Sequence, residues 1–176
     1  EAIKRKNIST DKLVSLINEL KEDTHSTQTD ILVGLPNEDF DSHIRSLESA
    51  LKFGINYIMG GEIRLLPGSE MESTKSRQQY KIKTKYRLCE GQYGYYGGEF
   101  IAEFEEVVRQ TNTMTEEEML QLRVLRTIFF ASVTLGELRP LIQYLIHNDI
   151  SVIHFFKELA SFNPKYHFFD QALYWC

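Results

Sequence analysis

Two corners of this chain carry residue types that let a backbone come close to a bound ligand. One is Gly34-Leu35-Pro36; the other is Met59-Gly60-Gly61, with Leu66-Pro67-Gly68-Ser69 further on. Each follows an apolar run, and ligands of parallel sheets sit at the carboxyl ends of the strands. Glycine there admits a flat or charged guest, and proline fixes the exit of the chain. Ordinary turns end strands in the same way, so these corners depend for their meaning on the elements that hold them.

Other constellations are poorer. His25, His43, His147, His154 and His167 form no ligand spacing for a metal; His147 and His154, seven apart, share a helix face at best. Glu116, Glu117 and Glu118 read as first-turn acids of a helix rather than a catalytic pair. Tyr93, Tyr95 and Tyr96 sit among glycines and fit either a packed loop or a lid over a site. No catalytic residue is assigned, and no metal ligand.

The positioning elements follow from periodicity. Ser9 caps a helix whose apolar face is Leu13, Leu16, Ile17 and Leu20. Ile31, Leu32 and Val33, three aliphatics without alternation, predict a strand buried on both faces, as in a parallel sheet. Asn37 is placed to cap the next helix, with Phe40, Ile44, Leu47 and Leu51 as its buried stripe and Gly54 in the left-handed position closing it. The second strand lies in "INYIMGGEIRLLPGSE". Strand, helix, strand makes a βαβ unit, whose crossover sets the two strands parallel.

Between Ser73 and Arg87 stand Lys75, Arg77, Lys81, Lys83, Lys85 and Arg87 with no acid, which reads as the solvated basic face of a helix. "EGQYGYYGGEF" reads as a turn or loop, and "FIAEFEEVV" alternates as a half-exposed strand. Thr115 with Glu118 forms a capping box ahead of Met119, Leu122, Val124, Leu125, Ile128 and Phe129. Leu138, Leu141, Ile142 and Leu145 mark another helix starting near Pro140, and Val152, Phe155, Phe156 and Leu159 a third. Three regions result: 1–72 with the βαβ unit, 73–110 with the basic helix, glycine-tyrosine loop and strand, and 111–176, a helical subdomain. A two-stranded parallel sheet is too small to stand alone, and the strand near Phe104 has the wrong pattern for a central neighbour. Further strands are therefore expected before Glu1.

Composition bounds the function classes. The chain has 176 residues, 42% hydrophobic and 26% charged, which suits a globular protein with a real core. Its net charge of −5 argues against a nucleic-acid partner. No apolar run approaches a membrane span. Cys89 and Cys176, 87 residues apart, make neither a disulfide framework nor a metal motif, so a reducing cytoplasmic setting is expected.

The segments "AIKRKNISTDKLVSLINELKE", "TDILVGLPNEDFDSHIRSLESALKFGINYI", "LLPGSEM", "YKIKTKYRL" and "FEEVVRQTNTMTEEEMLQLRVLR" resemble the later part of radical S-adenosylmethionine enzymes, in the group that often carries an amino-terminal cobalamin-binding domain. The resemblance covers about residues 1 to 130. It implies an α/β fold: the last two parallel strands of a partial six-stranded TIM-type barrel, then a mostly helical carboxyl-terminal region. It implies S-adenosylmethionine and a [4Fe-4S] cluster as cofactors of the full-length protein, with cobalamin as a further candidate. By this likeness Arg5 matches an arginine that contacts the cofactor's polar groups, and Asp30, 25 residues on, matches an acid at the start of the fifth strand. An arginine's planar fork suits a carboxylate, and an aspartate accepts from ribose hydroxyls. Leu32 and Gly34 would lie against the adenine, with backbone near Met59 and Gly60.

Two departures stand beside the likeness. Asn37-Glu38-Asp39 replaces the family's Gly-Glu-Thr after the proline, and the CxxxCxxC triad that holds the cluster is absent, as is the family's first-half glycine motif. The expectation is therefore the carboxyl-terminal half of such an enzyme, inactive alone, joined to an amino-terminal half or domain and facing a small-molecule or otherwise unspecified substrate. The competing expectation is a non-catalytic α/β binding or interaction module derived from a barrel.

Overall fold

A computed structural model of the chain describes residues 8–22 and 26–161. The fold is mixed α/β. Helix α1 spans Thr10–Glu22, strand β1 Gln28–Asp30, helix α2 Phe40–Lys52, strand β2 Tyr57–Met59 and the short helix α3 Thr74–Gln79. Strands β3 (Lys83–Tyr96) and β4 (Glu99–Gln110) follow, then helix α4 (Glu116–Phe129), a π-helical turn (Phe130–Thr134), α5 (Arg139–His147) and α6 (Val152–Ser161).

The βαβ unit is parallel: Gln28, Thr29 and Asp30 pair with Tyr57, Ile58 and Met59. The regular strand lies three residues before the aliphatic run, but the ladder continues through it. Ile31 N–H donates to the Met59 carbonyl at 2.9 Å, Val33 N–H to Gly61 at 2.9 Å, and Ile63 N–H back to Val33 at 3.0 Å. Gly60 interrupts regular pairing. Its φ is +149°, and a Cβ there would stand 2.0 Å from the Ile31 carbonyl oxygen, so only glycine lets the two chains pass this closely. One face of the pair is covered and the other is not: Val33 and Ile58 are buried, whereas Leu32 and Met59 are exposed. Burial on both faces is thus corrected among the described residues.

Helix α2 is capped by Asp39 and not by Asn37. Asp39 accepts from the Ser42 N–H at 2.7 Å, and the Ser42 hydroxyl side chain accepts in return from the Asp39 N–H. Asn37 takes φ +64° in the preceding turn, a conformation asparagine tolerates, and its side-chain oxygen accepts from Asn112 at 2.9 Å. Gly54 closes the helix at φ +75°.

The basic segment is helical only over Thr74–Gln79; from Lys83 it is strand β3, and the glycine-tyrosine stretch forms the outer part of the same hairpin, turning at Gly97-Gly98. The missing acids lie across the strand pair. Arg87 stands opposite Glu105 and ion-pairs with it, and Arg77 grips Glu106 with two bonds of 2.6 Å. Cross-strand pairing of opposite charges with interspersed Thr84 and Tyr86 favours a hairpin over a solvated helix.

The hairpin also joins the βαβ unit. Leu65 N–H donates to the Glu106 carbonyl at 2.8 Å, and Val108 N–H to Ile63 at 2.9 Å, an antiparallel junction around the Arg64–Val107 bridge. β4 does therefore serve as a neighbour of the second strand, because its base differs from its tip: Val107 and Val108 are both fully buried, while Phe100 and Phe104 are exposed. The capping box of α4 forms as its sequence predicts. One core unites Val33, Ile58 and Ile63 with Leu47 and Leu51 of α2, Met119, Leu122 and Phe129 of α4, and Phe156 of α6. The rings of Phe129 and Phe156 meet edge to face at 6.0 Å. Among the described residues, no single helix is long and apolar enough to cross a membrane.

Candidate functional site

The carboxyl end of the parallel pair gathers two sets of residues. The first is a sheet face. Asp30 and Leu32 are two apart on one strand, and Met59 is in register with Asp30, so the three share a side of the sheet. All three are exposed. Gly34 follows at φ +97°, buried against Val108, whose Cγ1 would be 3.3 Å from a Cβ on that glycine. Asp30, Leu32, Gly34, Met59 and Gly60, the residues expected at this rim, lie along the carboxyl end of the β1–β2 ladder. Gly34 and Gly60 each have a packing reason for being glycine, independent of any ligand. Arg5 lies outside the described residues, as do His25, His167 and Cys176.

The second set was not foreseen. Glu62, directly after Gly60-Gly61, is buried with its side chain only 4% exposed. Its Oε2 accepts from Arg87 Nη1 at 3.0 Å; its Oε1 accepts from Arg123 Nε at 3.0 Å, from Arg123 Nη2 and from Arg109 Nη1. Arg87 bridges onward to Glu105, which Arg64 also holds at 3.0 Å. Burial alone would push the Glu105 carboxyl up, but the hydrogen bonds from Arg87 and Arg64 outweigh it and hold it below the ordinary glutamate range. Signals for this cluster existed in the sequence. Glu62 is an acid inside an apolar strand run, Arg123 a cation within the apolar stripe of α4, and Arg109 follows two valines; buried charges of this kind require partners.

Beside the first corner, His43 is buried on α2 with Nδ1 3.1 Å from Glu38 Oε1. Glu38 Oε2 is buried and has no hydrogen-bond partner among the described residues. His147 and His154 are exposed and on different helices. Among the described residues, no three His, Cys, Asp or Glu side chains gather where a metal ion could be held. Tyr93, Tyr95 and Tyr96 form no packed loop; they stand exposed near the tip of the β3–β4 hairpin, where Tyr95 packs only edge-on against Phe100 at 5.5 Å.

The chain matches no protein-family model and no curated protein. The functional reading accordingly rests on the chain's own residues: a partly apolar sheet face with one carboxylate, ending in glycines, beside a buried carboxylate ringed by guanidiniums. The sheet face can receive a flat ring against Leu32 and Met59 while Asp30 accepts hydroxyl donors. The guanidinium cluster holds positive charge at the same end of the strands.

Proposed function

We propose that this chain supplies the carboxyl-terminal part of the barrel of a radical S-adenosylmethionine enzyme, contributing the last two parallel strands to the cofactor rim and one wall of the substrate site. The observation that carries this reading is the parallel ladder in which Asp30, Leu32 and Met59 share one exposed face and run into Gly34 and Gly60. In this reading the exposed face is the inward face of a barrel whose other strands flank β1, which is supported by β1 pairing on one side only among the described residues. Asp30 is placed to accept from ribose hydroxyls, and Leu32 with Met59 to flank the adenine.

Asp30, Leu32 and Met59 would hold the nucleoside of S-adenosylmethionine, which when bound and reduced by the cluster would supply hydrogen-abstraction chemistry toward the substrate. The residues of this chain do not fit the [4Fe-4S] cluster, which requires closely placed thiolates, whereas the only cysteines are Cys89, in β3, and Cys176. The cluster, and cobalamin if the enzyme transfers methyl groups, belong to the amino-terminal half in this reading. The role of this half is to orient the nucleoside and exclude water. The test is anaerobic reconstitution of the full-length protein with iron and sulfide. Formation of 5′-deoxyadenosine from S-adenosylmethionine supports the reading, and its absence despite a cluster spectrum overturns it.

A second reading, a non-catalytic interaction module, is favoured by the apolar side chains exposed at the helical end, Leu135, Leu141, Tyr144 and Ile150. It requires that the protein bind no S-adenosylmethionine.

A further inference from the structure

The guanidinium cluster is larger than its internal carboxylates need. Glu62 is bonded twice by Arg123, yet it also receives Arg87 and Arg109. Setting Arg123 aside, Arg64, Arg87 and Arg109 share, among the described residues, only the carboxylates of Glu62 and Glu105. Arg109 shows the excess of donors directly: its Nη1 bonds to Glu62, while its Nε is buried with no acceptor among the described residues. A structural ion pair would be complete with one guanidinium per carboxylate, and a surplus buried cation raises the cost of burial.

The cluster is also graded from solvent inward. Side-chain exposure falls from 60% at Arg64 through 41% at Arg87 and 15% at Arg109 to 9% at Arg123. Two accessible forks thus stand in front of two enclosed ones, at the carboxyl end of the second parallel strand. An oxyanion arriving there meets Arg64 and Arg87 as direct donors, with Arg109 behind them. Arg109 is largely shielded from water, which strengthens its attraction for an anion relative to an exposed lysine. The net charge of −5 makes this local concentration of positive charge a feature of the site and not of the protein as a whole.

We infer that the Arg64–Arg87–Arg109 cluster beside Glu62 is an oxyanion-binding site that anchors a ligand through a phosphate or carboxylate group. The inference goes beyond the proposed enzymatic role and stands on the arginine positions alone; loss of S-adenosylmethionine binding would leave it intact.

The experiment uses inorganic phosphate and acetate as probes at constant ionic strength, with binding followed calorimetrically. Saturable binding of either probe is expected, phosphate alone indicating a phosphoryl ligand and acetate alone a carboxylate ligand. Arg87→Gln and Arg64→Gln are each expected to weaken binding about tenfold, and Lys75→Gln, which removes an equal charge elsewhere, less than about twofold. As a check that needs no variant, phosphate or acetate should slow phenylglyoxal modification of Arg64 and Arg87 but not of the exposed Arg45 and Arg139. No saturable binding of either probe, or equal protection of all four arginines, overturns the inference.

Discussion

Asp30 and Met59 stand opposite each other in a parallel ladder, both exposed on the side of the sheet away from the buried Ile58. This relationship gives a carboxylate and a thioether a common outlook at the end of two co-directional strands. It arises from local causes: the α2 crossover fixes the strand direction, and Gly60 lets the second strand pass against the Ile31 carbonyl without a side chain between them.

That passage makes Gly60 the least replaceable residue of the rim. Gly60→Ala would set a methyl carbon 2.0 Å from backbone oxygen, and the neighbouring strand cannot yield without breaking the ladder. A loss of about 3 to 5 kcal/mol in urea unfolding is expected. Gly68→Ala, at φ +80° with nothing within 4 Å among the described residues, should cost only the left-handed backbone penalty of about 1 to 2 kcal/mol.

Glu62 carries the opposite kind of risk. Glu62→Gln keeps the volume but removes the carboxylate charge that Arg109 and Arg123 bond and that Arg87 shares with Glu105, and a cost of about 3 to 5 kcal/mol is expected. Combining it with Arg123→Met should cost less than the two single changes added together, because both remove the same Glu62–Arg123 ion pair. Simple additivity in that double-mutant cycle would mean the charges do not act as one network.

Much of the scaffold was legible because it depends on neighbours along the chain. The Thr115–Glu118 box, Gly54 at φ +75° and the apolar stripes of α2, α4 and α6 are all decided within a few residues. Helix α2 was off by its cap, since Asn37 and Asp39 are both good candidates and only the turn at Leu35–Glu38 chooses between them. The hairpin departs from the expected helix because Lys85 and Arg87 find their acids 31 and 18 residues away, at Glu116 on α4 and at Glu105 on the facing strand. The Glu62 cluster was missed for the same reason: Glu62 and Arg123 are 61 residues apart.

Acid sensitivity should report the hairpin's anchor. The two hydrogen bonds from Arg77 hold the Glu106 carboxyl below its ordinary value, with Thr84 assisting and burial opposing. The unfolded chain therefore takes up this proton first as pH falls. The stabilisation is complete above the unfolded value of about 4.3 and is lost as pH drops through the lower folded value. Urea midpoints between neutral pH and pH 3 should fall more steeply for the native chain than for Glu106→Gln.

The helix caps offer a milder test. Thr115→Ala and Asp39→Ala each remove an acceptor for an N3 backbone N–H and the start of a reciprocal box, and each should cost about 0.5 to 2 kcal/mol in urea unfolding. A loss near zero for either would mean that its helix start is held by tertiary packing alone.

The most direct measurement is equilibrium binding of S-adenosylmethionine to the full-length protein, native and Asp30→Ala, with circular dichroism confirming that both are folded. Saturable binding weakened about tenfold or more by the substitution is the predicted result, the size expected for losing a charged acceptor to the ribose. Binding that is absent in the native protein, or identical in the two, would contradict the assignment of the Asp30–Leu32–Met59 face as a cofactor rim.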